Sequence, residues 1–444
     1  MDALKHDPTD DGLRAELDRL AGLSQNWEIF AQVIEETLES LADGSGALTA
    51  ATLRVAAVRH QLGEHKPALS HYVRVLQVLD RGNIAALDAI ERIYRETEQW
   101  DELIDILQQK LEQDSIEPAA EKSLRFEIAA VWRDRLNDPD AAMSHYREMM
   151  EKFPGDLRIY DELAQLHHLA GDHGELVSVL ERKLAALTDR SDTTPHDLAE
   201  LRCRLGAEYA VLHETGRAVE YYVDALSADP NSDTAVSRLV ALLDDSGHQA
   251  VIALALEPVY VRRGQHKELS EILELQLSHA RSAEKAGLLD RLVVLYRDRL
   301  KDDRSALDAA SRLFELDPAG KARATVDALV AKLGAWAKLA DLYEKNVERV
   351  DDAATRLAIH ETIARTVFEH GSDFLRAERH YRAILDIDPS HAAALDALEE
   401  LYSGSDQHEL LLEILRRKES LATDADARVA FRFQMASILS DRLE

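Results

Sequence analysis

The stretch "LGAEYAVLHETGRAVEYYVDALSADP", at residues 205–230, contains the pattern that decides the fold. Its second half is one of five thirteen-residue segments that align without gaps. Each segment begins with alanine, four carry a tyrosine four residues later, and four end on proline. Apolar residues recur in them at spacings of three and four, which predicts a helix with one apolar face. The five segments start at Ala68, Ala142, Ala218, Ala306 and Ala377.

A second motif lies between these segments. It reads "ALDAIERIYRETEQWDELIDILQQK" at residues 86–110 and "ALDALEELYSGSDQHELLLEILRRK" at residues 394–418. An aromatic or imidazole ring stands just before its second apolar run, so the motif predicts a helix, a short turn and a second helix. The ring positions are Trp27, Trp100, His173, His266, Trp336 and His408.

The small and aromatic positions explain how such helix pairs would pack. A leading alanine allows two helices to approach closely, and the tyrosine one turn later fills the space beside it. A single pair cannot bury its apolar face alone, whereas stacked pairs can. The sequence therefore predicts a stack of helix pairs.

This pattern resembles the tetratricopeptide repeat. The resemblance covers essentially the whole chain and implies an all-α, right-handed α-solenoid of about 24 helices. Larger units of about 73 residues resemble the long repeat arrays of some bacterial proteins. In residues 205–230 the small, aromatic and proline positions of the family are filled by Leu205, Gly206, Tyr209, Ala218, Tyr222, Ala225 and Pro230.

Composition excludes several classes of protein. The hydrophobic content of 46%, with only 18 glycines and 10 prolines in 444 residues, is typical of a helix-rich chain. A net charge of −30 would repel nucleic acid and anionic membranes. No apolar run is long enough to span a bilayer, and residues 1–12 show no signal peptide. The single cysteine rules out an internal disulfide and favours a reducing compartment, so we predict a cytoplasmic location.

Both ends of the sequence match the inside of a repeat. "ALKHDP" at residues 3–8 matches the end of a proline-closed helix. "ASILSDRL" at residues 436–443 matches "VVLYRDRL" at residues 293–300, which another helix follows. We therefore expect the sequence to be part of a longer solenoid, with a complete protein that has half-repeat caps as the alternative.

The repeat spacing is irregular at one place. Between Pro230 and His266 there are 36 residues, where the other copies have 18 to 20. Pro258 falls inside a helical pattern and should kink that helix or split it. The extra segment is interpreted as a hinge or a ledge for a partner, or alternatively as structurally silent. The predicted organisation is a repeat segment at 1–230, an irregular insertion at 231–265 and a second repeat segment at 266–444.

No catalytic motif is recognisable in the sequence, which has no glycine-rich phosphate loop, no G-x-S-x-G and no H-E-x-x-H. His167, His168, Asp172 and His173 form the most metal-like cluster, but two of these histidines occupy repeat positions that pack. Cys203 is flanked by arginines that would lower a thiol pKa, yet a buried, inert thiol is expected. We therefore predict no enzyme activity, no metal and no cofactor.

The resemblance also implies where partners bind, because in this family the first helix of each pair lines the concave face. Here those positions are polar and lean acidic, which favours a protein or peptide partner, and a basic one in particular. The Lys and Asn constellation with which some family members clamp an acidic peptide tail is absent. The candidate groove residues are Asp88, Arg92, Arg95, Glu127, Asp134, Asp161, Gln165, His168, Arg291, Asp298, Asp396 and Glu400.

Two functions are compatible with these observations. The leading hypothesis is a protein–protein interaction scaffold that binds its partners on the groove of the solenoid. The alternative is a regulatory or sensor arm of a larger multidomain protein whose effector domain lies outside this sequence.

Overall fold

The computed structural model describes residues 10–39, 41, 46–113, 116–245, 247–371, 373–405 and 407–442. Within these residues the chain forms 24 α-helices and no strand, so the predicted all-α fold is confirmed. Residues 3–8 and 443–444, which matter for the match of both ends to incomplete repeats, lie outside the described part. None of the described helices has the length and apolar character needed to cross a membrane.

The chain divides into two compact units, Met1–Ala218 and Val219–Glu444. This division falls inside one helix, upstream of the insertion predicted at 231–265. The insertion forms the first two helices that lie wholly in the second unit. The three-segment organisation stays a prediction.

The helices of the first unit follow one another in the stack, each packed against the next from α1 to α11. They are α1 (Asp11–Ser24), α2 (Trp27–Leu38), α3 (Gly46–Gln61), α4 (His65–Arg74), α5 (Ile84–Glu96), α6 (Trp100–Leu111), α7 (Pro118–Asp134), α8 (Pro139–Lys152), α9 (Leu157–Ala170), α10 (His173–Thr188), α11 (Pro195–Val211) and α12 (Thr215–Ala228), the last of which continues into the second unit.

In the second unit, too, each helix from α13 to α24 packs against the next. The helices are α13 (Asp233–Ala241), α14 (Gln249–Arg263), α15 (His266–His279), α16 (Ser282–Val294), α17 (Asp303–Leu316), α18 (Ala322–Leu333), α19 (Trp336–Val347), α20 (Ala353–Thr366), α21 (Phe374–Ile387), α22 (Ala392–Gly404), α23 (His408–Leu421) and α24 (Ala425–Arg442). Short π-helical segments extend α4 (Val75–Leu79), α16 (Leu295–Leu300) and α20 (Val367–Gly371).

One type of turn joins the two helices of a pair throughout the described residues. Nine residues have a φ between 54° and 78°, and every one lies two residues before the second helix of a pair. In most of these turns the next backbone N–H donates to the carbonyl five residues back, as from Gln99 to Tyr94 at 2.9 Å and from Asp172 to His167 at 3.0 Å. This is the Schellman arrangement, which satisfies the free carbonyls at a helix end. The turn therefore fixes the register of each pair.

The repeated small and aromatic residues are the core of the stack. All five leading alanines are fully buried, and the tyrosines one turn later are buried beside them. Pro118, Pro139 and Pro195 are each the first residue of a helix, and Asp138 caps α8 by accepting from the Ala141 N–H at 2.9 Å. The packing predicted from the gap-free repeat is confirmed.

The six ring residues each form the first residue of a second helix. All six are half-buried rather than fully buried. Trp100, for example, has the Arg135 guanidinium 4.8 Å from its ring centroid. The rings therefore cover the turn on its solvent side. Because they are only half-buried, each contributes less hydrophobic free energy to stability than a fully buried ring would.

The irregular segment contains one extra helix, α13, followed by α14, which contains Pro258. Of the two effects predicted for this proline, a break is not seen, because α14 runs without interruption from Gln249 to Arg263. The Gln276 side chain of α15 donates to the Ala253 carbonyl at 3.3 Å and to Glu257 Oε2 at 2.7 Å, one turn before the proline. These bonds tie α15 to α14 where the proline removes a backbone donor.

Candidate functional site

The shared register allows equivalent residues to be compared between pairs. Positions are counted here from the ring residue, so that in α5/α6 Asp88 is at −12, Arg92 at −8 and Lys110 at +10 relative to Trp100. The −12 and −8 positions lie on the first helix, and both are exposed. They hold six of the candidate groove residues.

In three pairs the −12 residue is an aspartate that forms an ion pair with a lysine at +10 on the second helix. The Lys110 ammonium contacts Asp88, and the Lys183 ammonium contacts Asp161. The Lys418 ammonium lies 2.5 Å from Asp396. The lysine side chains are only 14–17% exposed, so their stems pack between the two helices of the pair.

The charges of these ion pairs are matched inside the protein. Burial alone would lower the pKa of Lys110, but its hydrogen bonds to Asp88 and Glu91 outweigh burial and raise that pKa. Burial likewise opposes charge on Glu91, yet its hydrogen bonds with Lys110 and Arg95 lower the pKa of this carboxyl. The three aspartates at −12 are therefore each paired with a lysine of their own second helix.

In the other three pairs the −12 residue carries no charge, and the +10 residue is a neutral polar group. Leu254 at −12 is accompanied by Gln276, which donates to a backbone carbonyl. Ala324 is accompanied by the buried Asn346, whose amide donates to the Leu342 carbonyl at 2.8 Å. In these six pairs the +10 residue is thus a lysine only where the −12 residue is an aspartate.

The −8 position behaves differently from the −12 position. Arg92, Gln165 and Glu400 are exposed, and none of them forms a hydrogen bond or ion pair with another described residue. Arg19 and Ala328 are the matching residues in α1/α2 and α18/α19. The three free polar side chains can therefore contact another molecule without breaking a bond inside the chain.

Three other candidates are held by neighbours in the first unit. Arg95 pairs with Glu91 at 2.9 Å and also contacts Glu127 of the next first helix. Asp134 bonds the adjacent Arg133 at 2.7 Å, which lowers the pKa of its carboxyl. The structure thus brings Arg95 and Glu127 together across two repeats, which the sequence did not predict.

The remaining candidates also have contacts. Arg291 pairs with Glu257 of α14, and Asp298 bonds the adjacent Arg297 at 2.8 Å, which lowers the pKa of the Asp298 carboxyl. The exposed ring of His168 lies edge-on to His173, with 6.5 Å between the centroids.

The first helix of α14/α15 carries large apolar residues at positions that are polar or charged in α5/α6, α9/α10 and α22/α23. Leu254 at −12, Pro258 at −8 and Val261 at −5 are all exposed, as is Val251 one turn earlier. Leu254 is 64% exposed, which is unusual for leucine. The length of this segment and its proline mark it as irregular in the sequence, whereas its exposed apolar face becomes apparent only in the structure.

A pocket of about 470 Å³ adjoins Asp161 in the first unit. It lies among α9, α10 and α11, and its lining includes Lys183, Arg190, Glu200 and Arg204. Charges of both signs face it, so it suits a polar side chain better than an apolar one.

The histidine cluster considered in the sequence does not assemble as a set of metal ligands. His167 is buried, and His173 Nδ1 is hydrogen-bonded to Glu208 at 2.7 Å. A different group, formed by His60, His65 and Glu96, brings three ligand atoms within 4.8 Å of one another. Sequence reasoning missed it because Glu96 lies 36 residues after His60 and belongs to another helix pair. Cys203 is buried, as expected.

The recurring turn, the buried alanine and aromatic positions and the paired helices define a protein of the tetratricopeptide-repeat type. Residues 86–118 and 159–194 match the model of the tetratricopeptide repeat family. These two stretches contain α5/α6 and α9/α10, two of the pairs with an aspartate–lysine ion pair.

Several solved structures are similar to this chain in fold. A chain of the Naa15/Naa10 complex bound to HypK-THB is 14% identical, with 96% of this chain and 67% of that one covered and a TM-score of 0.36. YrrB, described as a TPR protein with an unusual peptide-binding site, is 19% identical over 47% of this chain and 98% of its own, with a TM-score of 0.25. Yeast Tom70 is 11% identical over 98% and 97%, also with a TM-score of 0.25. These likenesses are too distant to transfer a function, and no curated protein sequence matches the chain.

Proposed function

We propose that this chain is a protein–protein interaction scaffold, which binds a partner protein or peptide along the exposed faces of its first helices. The observation that carries the proposal is the row of free side chains at −8, namely Arg92, Gln165 and Glu400. An exposed polar group without an internal partner can exchange its hydrogen bond to water for one to a partner, without breaking a bond inside the chain. Arg92 and Gln165 offer such groups at the same register position of two pairs in the first unit, and Glu400 offers one in the second unit, so each unit can contact a partner segment by itself.

The charge of the protein suggests the character of the partner. A net charge of −30 creates a long-range field that accelerates the approach of a basic molecule. Close to the surface, however, the aspartates at −12 are already paired with lysines, so contact at short range depends on other groups. We infer a basic partner segment that also carries an apolar side chain, for which the Leu254 and Val261 face of α14 offers a matching contact.

Removal of the free side chains tests this function. A triple variant, Arg92→Glu, Gln165→Ala and Glu400→Lys, should lose its partners while keeping its helix content, because exposed substitutions usually cost under about 0.5 kcal/mol each. The matched control changes Asp105, Ser178 and Glu413, which are exposed at +5 on the second helices of the same pairs.

The measurement is affinity purification with the wild type, the triple variant and the control, followed by quantitative mass spectrometry. Proteins retained by the wild type and the control but lost by the triple variant would support the proposal. Partners that persist on the triple variant, or that the control loses instead, would contradict it.

A further inference from the structure

The group formed by His60, His65 and Glu96 has no role in the proposed binding surface. His60 lies in the last turn of α3, His65 is the first residue of α4, and Glu96 is the last residue of α5. We propose that these three side chains bind a divalent transition-metal ion, with Zn²⁺ as the best chemical match. The inference does not depend on the proposed function.

The donor set matches this metal. Zinc in proteins is bound by imidazole nitrogens and carboxylate oxygens, and three protein ligands leave a fourth position open for water or another group. Tetrahedral ligands at about 2.0–2.1 Å from zinc are about 3.3 Å from one another. Here His60 Nε2 and Glu96 Oε2 are 2.7 Å apart and all three ligand atoms lie within 4.8 Å of one another, so small side-chain adjustments would bring them to that separation.

The site is partly buried but still accessible to an ion from the solvent. The His60 side chain is 15% exposed, whereas Glu96 is 44% exposed, so an ion can enter from the side of the carboxylate. The two imidazole rings lie with centroids 5.6 Å apart. Among the described residues His65 Nδ1 has no hydrogen-bond partner although it is buried, so this ring is not committed through that nitrogen.

The local charges leave the carboxylate ready to bind a cation. Glu96 Oε2 lies 2.7 Å from His60 Nε2, and the carboxylate is exposed enough for a cation to reach it. Arg92, one turn earlier on α5, is the positive charge that opposes an ion at this site.

A second pair of histidines in the same unit shows what distinguishes the site. His168 and His173 have the same five-residue spacing across the turn of α9/α10. There the residue equivalent to Glu96, four positions before the second helix of the next pair, is Val211, and His173 Nδ1 is already bonded to Glu208 at 2.7 Å. A carboxylate thus contacts His173 as well, but among the described residues only the first group brings two imidazoles and a carboxylate within 4.8 Å of one another, so the second pair serves as an internal control.

Calorimetric titration of the full chain with Zn²⁺ tests the proposal. We expect one site in the wild type, with affinity that falls about tenfold or more in Glu96→Gln and in His65→Gln. The double variant His168→Gln, His173→Gln should bind as the wild type does.

Co²⁺ in place of Zn²⁺ gives a second readout, since tetrahedral coordination produces strong visible absorption bands that Glu96→Gln should abolish. Circular dichroism verifies that each variant is folded. Weak binding that is unchanged in Glu96→Gln and His65→Gln, or equally reduced in the control, would indicate adventitious binding to surface histidines only and would overturn the proposal.

Discussion

The helix pairs α9/α10 and α14/α15 share the same turn and the same register, yet their exposed faces differ. In α9/α10 the −12 and +10 positions hold Asp161 and Lys183, which form an ion pair. In α14/α15 they hold the exposed Leu254 and the buried Gln276. One choice at −12 thus decides whether the second helix supplies a charged or a neutral group 22 residues later. The comparison shows that the fold constrains these two positions jointly and leaves −8 free to vary.

The largest effect we expect is the loss of stability when the ring residue of a pair is replaced by alanine. Trp100→Ala should destabilise α5/α6 by about 2–3 kcal/mol, below the range for a fully buried Trp, because its ring is half-buried. His266→Ala should cost α14/α15 less, since imidazole buries a smaller apolar area. Native-state hydrogen exchange measures both locally. Because stack stability is a sum over neighbours, uniform loss of protection along the chain would contradict this picture.

The next effect tests the coupling between −12 and +10 directly. Asp161→Leu makes α9/α10 resemble α14/α15 at one position but leaves the mostly buried Lys183 without its acid, at a cost of about 1–2 kcal/mol. Adding Lys183→Gln should recover most of that loss. A double-mutant cycle by local hydrogen exchange gives the coupling energy. If the two changes prove additive, the ion pair does not couple the positions.

A third prediction follows from the direction of the pKa shifts in α5/α6. The raised pKa of Lys110 stabilises the fold below the unfolded-state value of about 10.4, and this contribution is lost as pH rises through the folded value. The lowered pKa of Glu91 stabilises it above about 4.3, and that contribution is lost as pH falls.

The difference in unfolding free energy between the wild type and Lys110→Met should therefore be constant at about 1 kcal/mol around neutral pH. It should decrease at both high and low pH. Urea unfolding followed by circular dichroism across pH measures it. A matched Gln276→Met variant in α14/α15 should show no such plateau, and equal profiles for the two variants would contradict the ionic interpretation.

The smallest expected effect concerns the turns. Glu98 in α5/α6 adopts a left-handed conformation with φ 55°, where α14/α15 has Gly264 with φ 66°. Glu98→Gly should stabilise its pair by about 0.5 kcal/mol, because glycine avoids the left-handed strain but loses more entropy on folding. Gly264→Ala should destabilise by about 1 kcal/mol. Thermal unfolding measures both changes. A higher unfolding temperature for Glu98→Gly and a lower one for Gly264→Ala would support the shared turn.

Much of the fold was predictable from the sequence because its signals are local and periodic. The alanine, tyrosine and ring positions recur in register, and periodic apolar residues indicate which face is buried. The partners of the charged residues were not predicted, because an aspartate and a lysine 22 residues apart meet only once the angle between their helices is known. The joint appearance of Asp and Lys in three of six pairs was the signal that could have revealed them.

The candidate binding surface depends on contacts between helices, which the sequence does not show, and its role in binding stays a prediction. Asp88, Asp161 and Asp396 are candidate groove residues in the sequence, and in the structure each contacts a lysine of its own pair. Charge reversal at these positions would therefore disturb packing as well as binding. The metal ligands were missed for a related reason, since His65 and Glu96 lie in different pairs and only stacking brings them together.

Site-specific photo-cross-linking tests the central claim, that partners bind along the −8 row, most directly. A benzophenone amino acid is placed singly at Arg92, Gln165 or Glu400 and, for comparison, at the exposed +5 residues Asp105, Ser178 and Glu413, in cells that express the protein. We predict that the three −8 positions cross-link to a common partner and that the three +5 positions do not. Cross-links that form at the +5 positions and not at −8 would place the binding surface on the second helices and contradict the account.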